Sequence, residues 1–209
     1  MQHQIVATSG HHRRLLLLSC SLFFASGFAA LLYQVSWQRQ LFGWYGVDLD
    51  SVSTIVSVFM LGLGIGALAG GWLADRFQDR RIFIFSLIEL TIGLFGLFSL
   101  DIIDWIGGLV AADSLPRLVV LTFIVFVVPT CAMGATLPLL VTELVDVTHH
   151  VGFSTGTLYF INTLGAATGA IVGGLVVLSL YGLDGVVTLA ATINFLVATI
   201  AYVSVSRAS

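Results

Sequence analysis

Four polar side chains lie inside long apolar runs of this sequence, where polar groups are rare. Glu89 follows Arg81 by eight residues, which is roughly 12 Å along a helix at about 1.5 Å per residue. An ionised carboxylate at that depth of a bilayer costs on the order of 2.5 kcal/mol or more, so it needs a partner, a proton or a cavity. Thr136, Tyr159 and Asn162 come at a similar depth in later runs. These four residues are predicted to line one substrate-binding pocket.

Two functions remain open for this set. Glu89 in such a pocket could take up a proton or an amine cation, since one carboxylate among apolar walls suits a cation better than an anion. Alternatively, Glu89 and Asn162 join helices by hydrogen bonds, which contribute about 0.6 kcal/mol on average inside membranes. The sequence does not identify a substrate.

A charged segment, GGWLADRFQDRR, separates two of the apolar runs. It resembles the cytoplasmic signature of the major facilitator superfamily, in which a glycine, an Asp-Arg pair and a basic pair lie between helices 2 and 3. Gln78 and Asp79 depart from that pattern, because a glycine and a basic residue normally follow the Asp-Arg pair. The charged residues are interpreted either as a conformational latch between two helices or as an arginine-rich loop held inside the cell by its charge; they are Asp75, Arg76, Arg80 and Arg81.

Glycines recur at four-residue steps in two apolar runs. A doubled GxxxG pattern lets a membrane helix approach a neighbour closely, because helices in lipid associate through packing rather than through the hydrophobic effect. The helix-packing glycines are Gly62, Gly66 and Gly70 in the earlier run, and Gly165, Gly169 and Gly173 in the later one. Two such runs in corresponding places suggest that the chain consists of two similar halves.

The composition defines the class of protein. Hydrophobic residues make up 58% and charged residues 9%, against about 25% charged in an ordinary soluble domain. The mean hydropathy is +1.05. The net charge of -3, with no lysine, excludes nucleic acid as an expected partner. The chain is predicted to be an all-α protein whose solvent is the lipid bilayer.

Six runs reach membrane-spanning length of about 20 residues. They are 15–32, 52–73, 82–100, 118–140, 157–180 and 186–203. The first is interpreted as a retained span rather than a signal peptide, because it is long and has no obvious cleavage site. The domain organisation is therefore a cytoplasmic segment 1–14, a six-helix transmembrane domain 15–206 and a cytoplasmic end 207–209.

The arginines predict the orientation. With both termini inside, six arginines lie on the cytoplasmic side and two, Arg39 and Arg117, on the outer side. The six are Arg13, Arg14, Arg76, Arg80, Arg81 and Arg207. The predicted location is the inner (plasma) membrane. The outer loops would be 43–51, 101–117 and 181–185, the second of them lying on the membrane as a short interfacial helix.

A chain of six spans divides into two trios that begin on opposite sides of the membrane. The doubled glycine pattern occurs in the second helix of each trio, as a 3+3 inverted repeat predicts. Chance placement is the alternative, since glycine is frequent in membrane helices and this chain has 22. The fourth run also contains two prolines, Pro129 and Pro138, which either break the helix beside a binding site or simply shape the bundle.

Several motifs together resemble the membrane region of bacterial membrane-bound spermidine-synthase-like proteins. They are YQVSWQRQL, GLGIGALAGGWLADR, IELTIGLFGL with Glu89, PTCAMGATLPLL and LYFINTLGAATGAIVGG. The resemblance implies a half-facilitator-like bundle and gives family motif positions at Tyr33, Trp37, Arg39 and Pro138. Gln34 departs from the family pattern, which usually has Glu after that Tyr. From their place alone, four residues at the outer end of the first helix are interpreted as a polar-aromatic interfacial cap: Tyr33, Gln34, Trp37 and Arg39.

The chain has no glycine-rich nucleotide loop and no catalytic or metal-ligand spacing, so no catalytic residue, metal or cofactor is predicted. The first hypothesis is a membrane subunit of a spermidine-synthase-like system, which recruits a cytoplasmic aminopropyltransferase-like partner and translocates an amine metabolite. The second is a half-size facilitator-type transporter acting as a homodimer. The third is a structural subunit of a larger membrane complex.

Overall fold

The structure is a computed structural model that describes the backbone of residues 2–46, 48–110 and 115–206. Side chains are described for residues 15–44, 46, 49–110 and 116–204. The predictions for Arg13, Arg14 and Arg207, and for the terminal segments 1–14 and 207–209, therefore lie wholly or partly outside the described residues.

The described chain is almost entirely helical, with short breaks between helices at Gly46, Phe77 and residues 149–150. Its helices are α1 (Gln2–Tyr45), α2 (Asp48–Arg76), α3 (Arg81–Val110), α4 (Leu115–Thr148), α5 (Val151–Val172) and α6 (Leu178–Ser206). A short 3₁₀ turn, Gln78–Arg80, joins α2 to α3, and a π-helical segment, Gly173–Val177, joins α5 to α6.

Five helical stretches are long and apolar enough to cross a membrane. They are Leu15–Trp44, Leu49–Arg76, Gln78–Val110, Pro116–Thr148 and Val151–Ser204. The fifth has 54 residues and contains both of the last two predicted spans. It is interrupted at Gly182, whose φ of 67° and ψ of -170° are tolerated by glycine and strained for other residues.

Two of the predicted outer loops are wrong. Segment 43–51 is largely helical, because α1 continues to Tyr45 and α2 begins at Asp48. Segment 101–117 contains no separate interfacial helix in its described part, because α3 continues to Val110. The reason is packing: Ile103 and Ile106 are buried, and Asp104 accepts hydrogen bonds from Gln40 (2.6 Å) and Trp44 (2.9 Å) of α1.

The glycines of α2 lie against α4. A Cβ atom added to Gly62 would collide with Thr130, one on Gly66 with the carbonyl of Cys131, and one on Gly70 with the backbone of Ala135. The contact is reciprocal, since Gly134 of α4 lies against the backbone of Leu63. Because these partners advance together along both helices, α2 and α4 run in the same direction.

The glycines of α5 and of the π-helical segment that follows it make the equivalent contact with α1. Added Cβ atoms would collide with the backbone of Phe24 at Gly165, with that of Phe28 at Gly169, and with the side chain of Leu32 at Gly173. In return, Gly27 of α1 lies against Asn162 of α5. These two helices are also parallel to each other.

The contacts between other helices establish the remaining directions. Hydrogen bonds join α1 to α3 at nearly constant separations of 63, 62 and 64 residues, so these helices run parallel. In contrast, Glu89 bonds Asn194 while the earlier Ser86 bonds the carbonyl of the later Ala198, so α3 and α6 are antiparallel. Helices α1, α3 and α5 therefore point one way, and α6 points the other way.

The glycine contacts generate the first prediction. Gly66→Ala places a methyl group against the backbone of Cys131, and overpacking of this kind typically costs about 1–3 kcal/mol. We expect a lower unfolding temperature in detergent micelles, followed by circular dichroism. Gly64→Ala is the matched control, because no atom lies within 4 Å of its added Cβ. Equal destabilisation by both substitutions would contradict the close contact of α2 and α4.

Candidate functional site

The candidate site is the buried carboxylate of Glu89 in α3. Its side chain is 0% exposed and accepts one hydrogen bond on each oxygen. Ser26 Oγ of α1 donates to Oε1 at 2.6 Å, and Asn194 Nδ2 of α6 donates to Oε2 at 2.6 Å. The carboxylate thus joins three helices. The Oδ1 atom of Asn194 is buried and has no hydrogen-bond partner among the described residues.

The other three residues of the predicted pocket lie elsewhere. Tyr159 is 61% exposed on the outside of α5. The hydroxyl of Thr136 donates to the carbonyl of Met133 in its own helix. Asn162 is half-buried against Gly27. Glu89 bonds Ser26 and Asn194 and none of these three residues. The position of a residue along its helix, which was the basis of the prediction, does not indicate on which face of the helix its side chain lies.

Tyr33 and Trp37 lie in the core rather than at an interface. Both are fully buried, and their rings stack at 5.4 Å between centroids. Trp37 also contacts Phe59, Phe95 and Phe126, at centroid distances of 5.7, 6.1 and 4.6 Å respectively. Its indole nitrogen donates to Ser99 Oγ at 2.8 Å. The interpretation of these two residues as an interfacial cap is wrong, because α1 continues past them to Tyr45.

Arg39 and Pro138, the remaining motif positions, have different surroundings. Arg39 is exposed near the end of α1, in a shallow groove with Phe42 and Leu183. Pro138 lies within a continuous α4, and its carbonyl accepts a hydrogen bond from Thr142 Oγ1 at 2.8 Å. Neither Pro129 nor Pro138 interrupts α4.

The four charged residues of the proposed latch separate into two groups. Asp75, Arg76 and Arg80 are exposed, and the guanidinium of Arg76 lies 5.9 Å from the centre of the Phe77 ring. Arg81 is buried, forms an ion pair with Asp146 near the end of α4, and donates from Nε to the carbonyl of Ala74 at 3.0 Å. Of the four, Arg81 is the one that links α3 to α2 and α4.

Sequence reasoning missed three residues that make these contacts. Asn194 and Ser26 were detectable as polar groups within apolar runs, by the criterion that selected Glu89. Asp146 was not detectable as a partner of Arg81, because 65 positions separate them. Only packing brings the end of α4 beside the start of α3.

The fold and the buried polar contacts define a multi-pass helical membrane protein. Residues 15–209 match the Major Facilitator Superfamily, so the chain belongs to that family. This extends the resemblance of the α2–α3 segment to almost the whole chain.

Two curated relatives share part of the sequence. A 3-(3-hydroxy-phenyl)propionate transporter of Escherichia coli (strain K12) is 38% identical over 89 residues, covering 37% of this chain and 21% of the relative. A probable galactarate/D-glucarate transporter of Pseudomonas putida is 30% identical over 84 residues, covering 34% of this chain and 18% of the relative. The matched segment thus spans about a fifth of each relative.

No solved structure matches the chain. The relatives named above are transporters and do not support the resemblance to spermidine-synthase-like proteins.

The geometry of Glu89 generates the second prediction. Glu89→Leu leaves the donors of Ser26 and Asn194 buried without an acceptor, and we expect a loss of about 1–3 kcal/mol in the free energy of unfolding. Glu89→Gln retains an acceptor and should lose less. Unfolding in mixed micelles measures both values.

A double-mutant cycle isolates the interaction between the two side chains. Combining Glu89→Leu with Asn194→Ala should give a coupling of about 0.6 kcal/mol and at most about 1.7 kcal/mol, the range of such bonds inside membranes. Additive effects of the two substitutions would contradict the hydrogen bond. Thr199→Ala is a control, because its hydroxyl bonds a carbonyl of its own helix.

Proposed function

We propose that this chain forms one six-helix half of a facilitator-type transporter and pairs with a second copy of itself. The observation that carries the proposal is the equivalence of two helix contacts. An inverted repeat would relate the first trio, α1 to α3, to the second trio, α4 to α6, in the same order. Under that relation the α2/α4 contact corresponds to the α5/α1 contact. Both pairs are joined by glycines that admit the neighbouring backbone, which is the relation that an inverted repeat requires.

The positions of the matching residues support this repeat. The glycines of α2 and α5 are roughly 103 positions apart, and Gly27 and Gly134 roughly 107, close to a single repeat length. Glu89 and Asn194 are 105 positions apart and bond to each other. Two equivalent residues that contact each other lie near the axis of the repeat, so α3 and α6 would cross on that axis.

Six crossings follow from the length of the last helical stretch. At about 1.5 Å per residue its 54 residues would extend roughly 81 Å, while the hydrocarbon core is about 30 Å thick. A reversal at Gly182 divides the stretch into two spans. The direction of α5 parallel to α1, and of α6 antiparallel to α3, supports that reversal.

Both termini are proposed to lie in the cytoplasm, on the side that carries most of the arginines. The ion pair of Arg81 with Asp146 supports this arrangement, since it joins the α2–α3 turn and the end of α4 at one end of the bundle. In a variant without its natural cysteines, a cysteine replacing His150 should resist a membrane-impermeant thiol reagent added to intact cells. A cysteine replacing Gly43 should react. The reverse pattern would overturn the orientation.

A second set of glycines is available for a second copy. Gly64 and Gly71 of α2 and Gly156 of α5 have no atom within 4 Å of an added Cβ. They lie on the faces of α2 and α5 that do not contact α4 or α1. Small residues on a membrane helix permit a close neighbour, and the homodimer uses these faces.

The cargo is proposed to be a small organic acid. The names of both relatives specify carboxylates, although each match covers about a fifth of the relative. An amine cargo has less support, because Glu89 bonds Ser26 and Asn194 rather than lining an open pocket. Recruitment of an aminopropyltransferase-like partner stays a prediction that no observation favours.

Uptake into proteoliposomes tests the proposed transport of an organic acid. With an imposed pH gradient, we expect saturable uptake of radiolabelled 3-(3-hydroxyphenyl)propionate or galactarate, well above that of protein-free vesicles, and no uptake of spermidine. Native mass spectrometry of the same preparation should give a mass of two chains. Gly66→Ala should reduce uptake, provided that the variant inserts as well as the natural chain.

Three results would overturn the proposal. Uptake of spermidine alone would favour the polyamine hypothesis, as would a nucleotide-binding protein that co-purifies in a fixed ratio. Membership in a large set of integral membrane proteins, without uptake of any compound, would favour a structural subunit.

A further inference from the structure

A buried acceptor without a hydrogen bond lies at the junction of α1, α3 and α6. Asn194 is 2% exposed, and its Nδ2 donates to Glu89 Oε2. Because an ionised carboxylate has only acceptors, the amide presents its NH₂ group to Glu89 and its oxygen elsewhere. That oxygen, Oδ1, has no partner among the described residues. Buried polar atoms of this kind are rare and costly, and a bound ion or water molecule is one way in which they are satisfied.

The negative charge of Glu89 has no counter-charge at its depth in the bundle. Its two donors, Ser26 and Asn194, are both neutral. Glu89 is the one charged residue in the described segments 15–38, 52–74, 82–100, 118–142, 151–183 and 185–204, which contain the middle of every helix. An uncompensated carboxylate is expensive inside a membrane.

The arginines of the chain are too distant to supply that charge. Arg81 comes eight residues before Glu89, roughly 12 Å along α3, and pairs with Asp146. In the direction of the two termini, α1 has 12 residues between position 14 and Ser26, and α6 has 12 between Asn194 and its end at position 206. Roughly 18 Å of helix therefore separates the junction from each terminal segment.

Two requirements define a ligand for this junction: one positive charge for Glu89 and a positive partner for Asn194 Oδ1. A proton on Glu89 meets the first alone, because bonding it to Oδ1 requires the amide to turn, and Nδ2 then becomes the unpartnered atom. Water meets the second alone. A monovalent metal cation meets both without breaking either hydrogen bond, and oxygens are the ligands that hard cations prefer.

The number and spacing of the oxygens select among metal cations. One carboxylate balances one positive charge, so a divalent ion would leave a net charge buried in lipid. Both donors lie 2.6 Å from the carboxylate, which favours the smaller of the common monovalent ions. Gly93, one turn after Glu89, allows Asn194 to lie this close, since an added Cβ would be 3.2 Å from Asn194 Cβ.

We propose that Na⁺ binds at this junction, between the carboxylate of Glu89 and Oδ1 of Asn194, with Ser26 Oγ as a further ligand. The ion neutralises the buried carboxylate and joins α1, α3 and α6 through one centre. Occupancy therefore raises the unfolding temperature, as any ligand of the folded state does. The inference does not rest on the proposed function, because binding requires neither a cargo nor a second copy of the chain.

Equilibrium binding of radioactive sodium tests the proposal. The full chain is purified in detergent without sodium, with choline chloride to keep the ionic strength constant. We expect saturable binding of one ion per chain, and unlabelled KCl should compete much less than NaCl. Glu89→Gln should weaken binding on the order of tenfold or more through the loss of the charge, and Asn194→Ala should weaken it through the loss of Oδ1.

Thr122→Val is the matched control for these variants. Thr122 also has a buried hydroxyl without a partner among the described residues. It lies one turn before Phe126, which contacts Trp37, and Trp37 bonds Ser99, ten residues or roughly 15 Å along α3 from Glu89. Its removal should leave sodium binding unchanged.

Thermal unfolding in NaCl and in choline chloride at equal concentration separates sodium binding from a purely structural role of Glu89. The natural chain should unfold at a higher temperature in NaCl, and folded Glu89→Gln at the same temperature in both salts. Ser26→Ala keeps the carboxylate and Oδ1, so it should retain weaker binding, and it serves as the test variant if Glu89→Gln does not fold.

Three results would contradict a sodium site. They are the absence of saturable binding to the natural chain, undiminished binding to folded Glu89→Gln, and equal competition by KCl. Stabilisation of the natural chain by acid but not by sodium would identify a proton as the occupant and would overturn the proposal as well.

Discussion

Close backbone approach at two helix pairs is the constraint on which the rest of this structure depends. In lipid the burial of apolar surface does not drive helices together, so packing and polar contacts must do so. The glycines of α2 and α5 provide that packing by admitting the backbones of α4 and α1. Once these two pairs form, α3 and α6 can lie against them only through longer side chains.

Helix α3 contacts its neighbours through polar groups as well as through glycines, since Gly96 and Gly107 lie against the rings of Tyr33 and Trp44. Glu89 joins it to α1 and α6, and Trp37 donates to Ser99 at the centre of an aromatic cluster. Without these hydrogen bonds, the Glu89 carboxylate and the Trp37 indole N–H would be an unsatisfied acceptor and an unsatisfied donor in lipid. The direction of these bonds makes the position of α3 specific, whereas leucine packing alone would allow it to slide.

The two ends of the bundle differ in character. At one end, Gln40 and Trp44 of α1 donate hydrogen bonds to Asp104 of α3. The other has the ion pair of Arg81 with Asp146 beside an open cavity. The first end also has a groove, which is lined by Arg39, Phe42 and Leu183 among others, so open space is present at both ends.

The sequence by itself determined the class of protein, the existence of the membrane-length helices and the helix positions of the packing glycines. Hydropathy and four-residue spacing are local properties, and lipid leaves a spanning chain few alternatives to a helix. Which helix each glycine meets was decided by the tertiary structure, as were the partners of Glu89 and Arg81. Glu89 and Asn194 are 105 residues apart, and spacing gave no sign of their contact. Tyr159 lies on the outside of α5, since the side on which a helix packs depends on all of its neighbours at once.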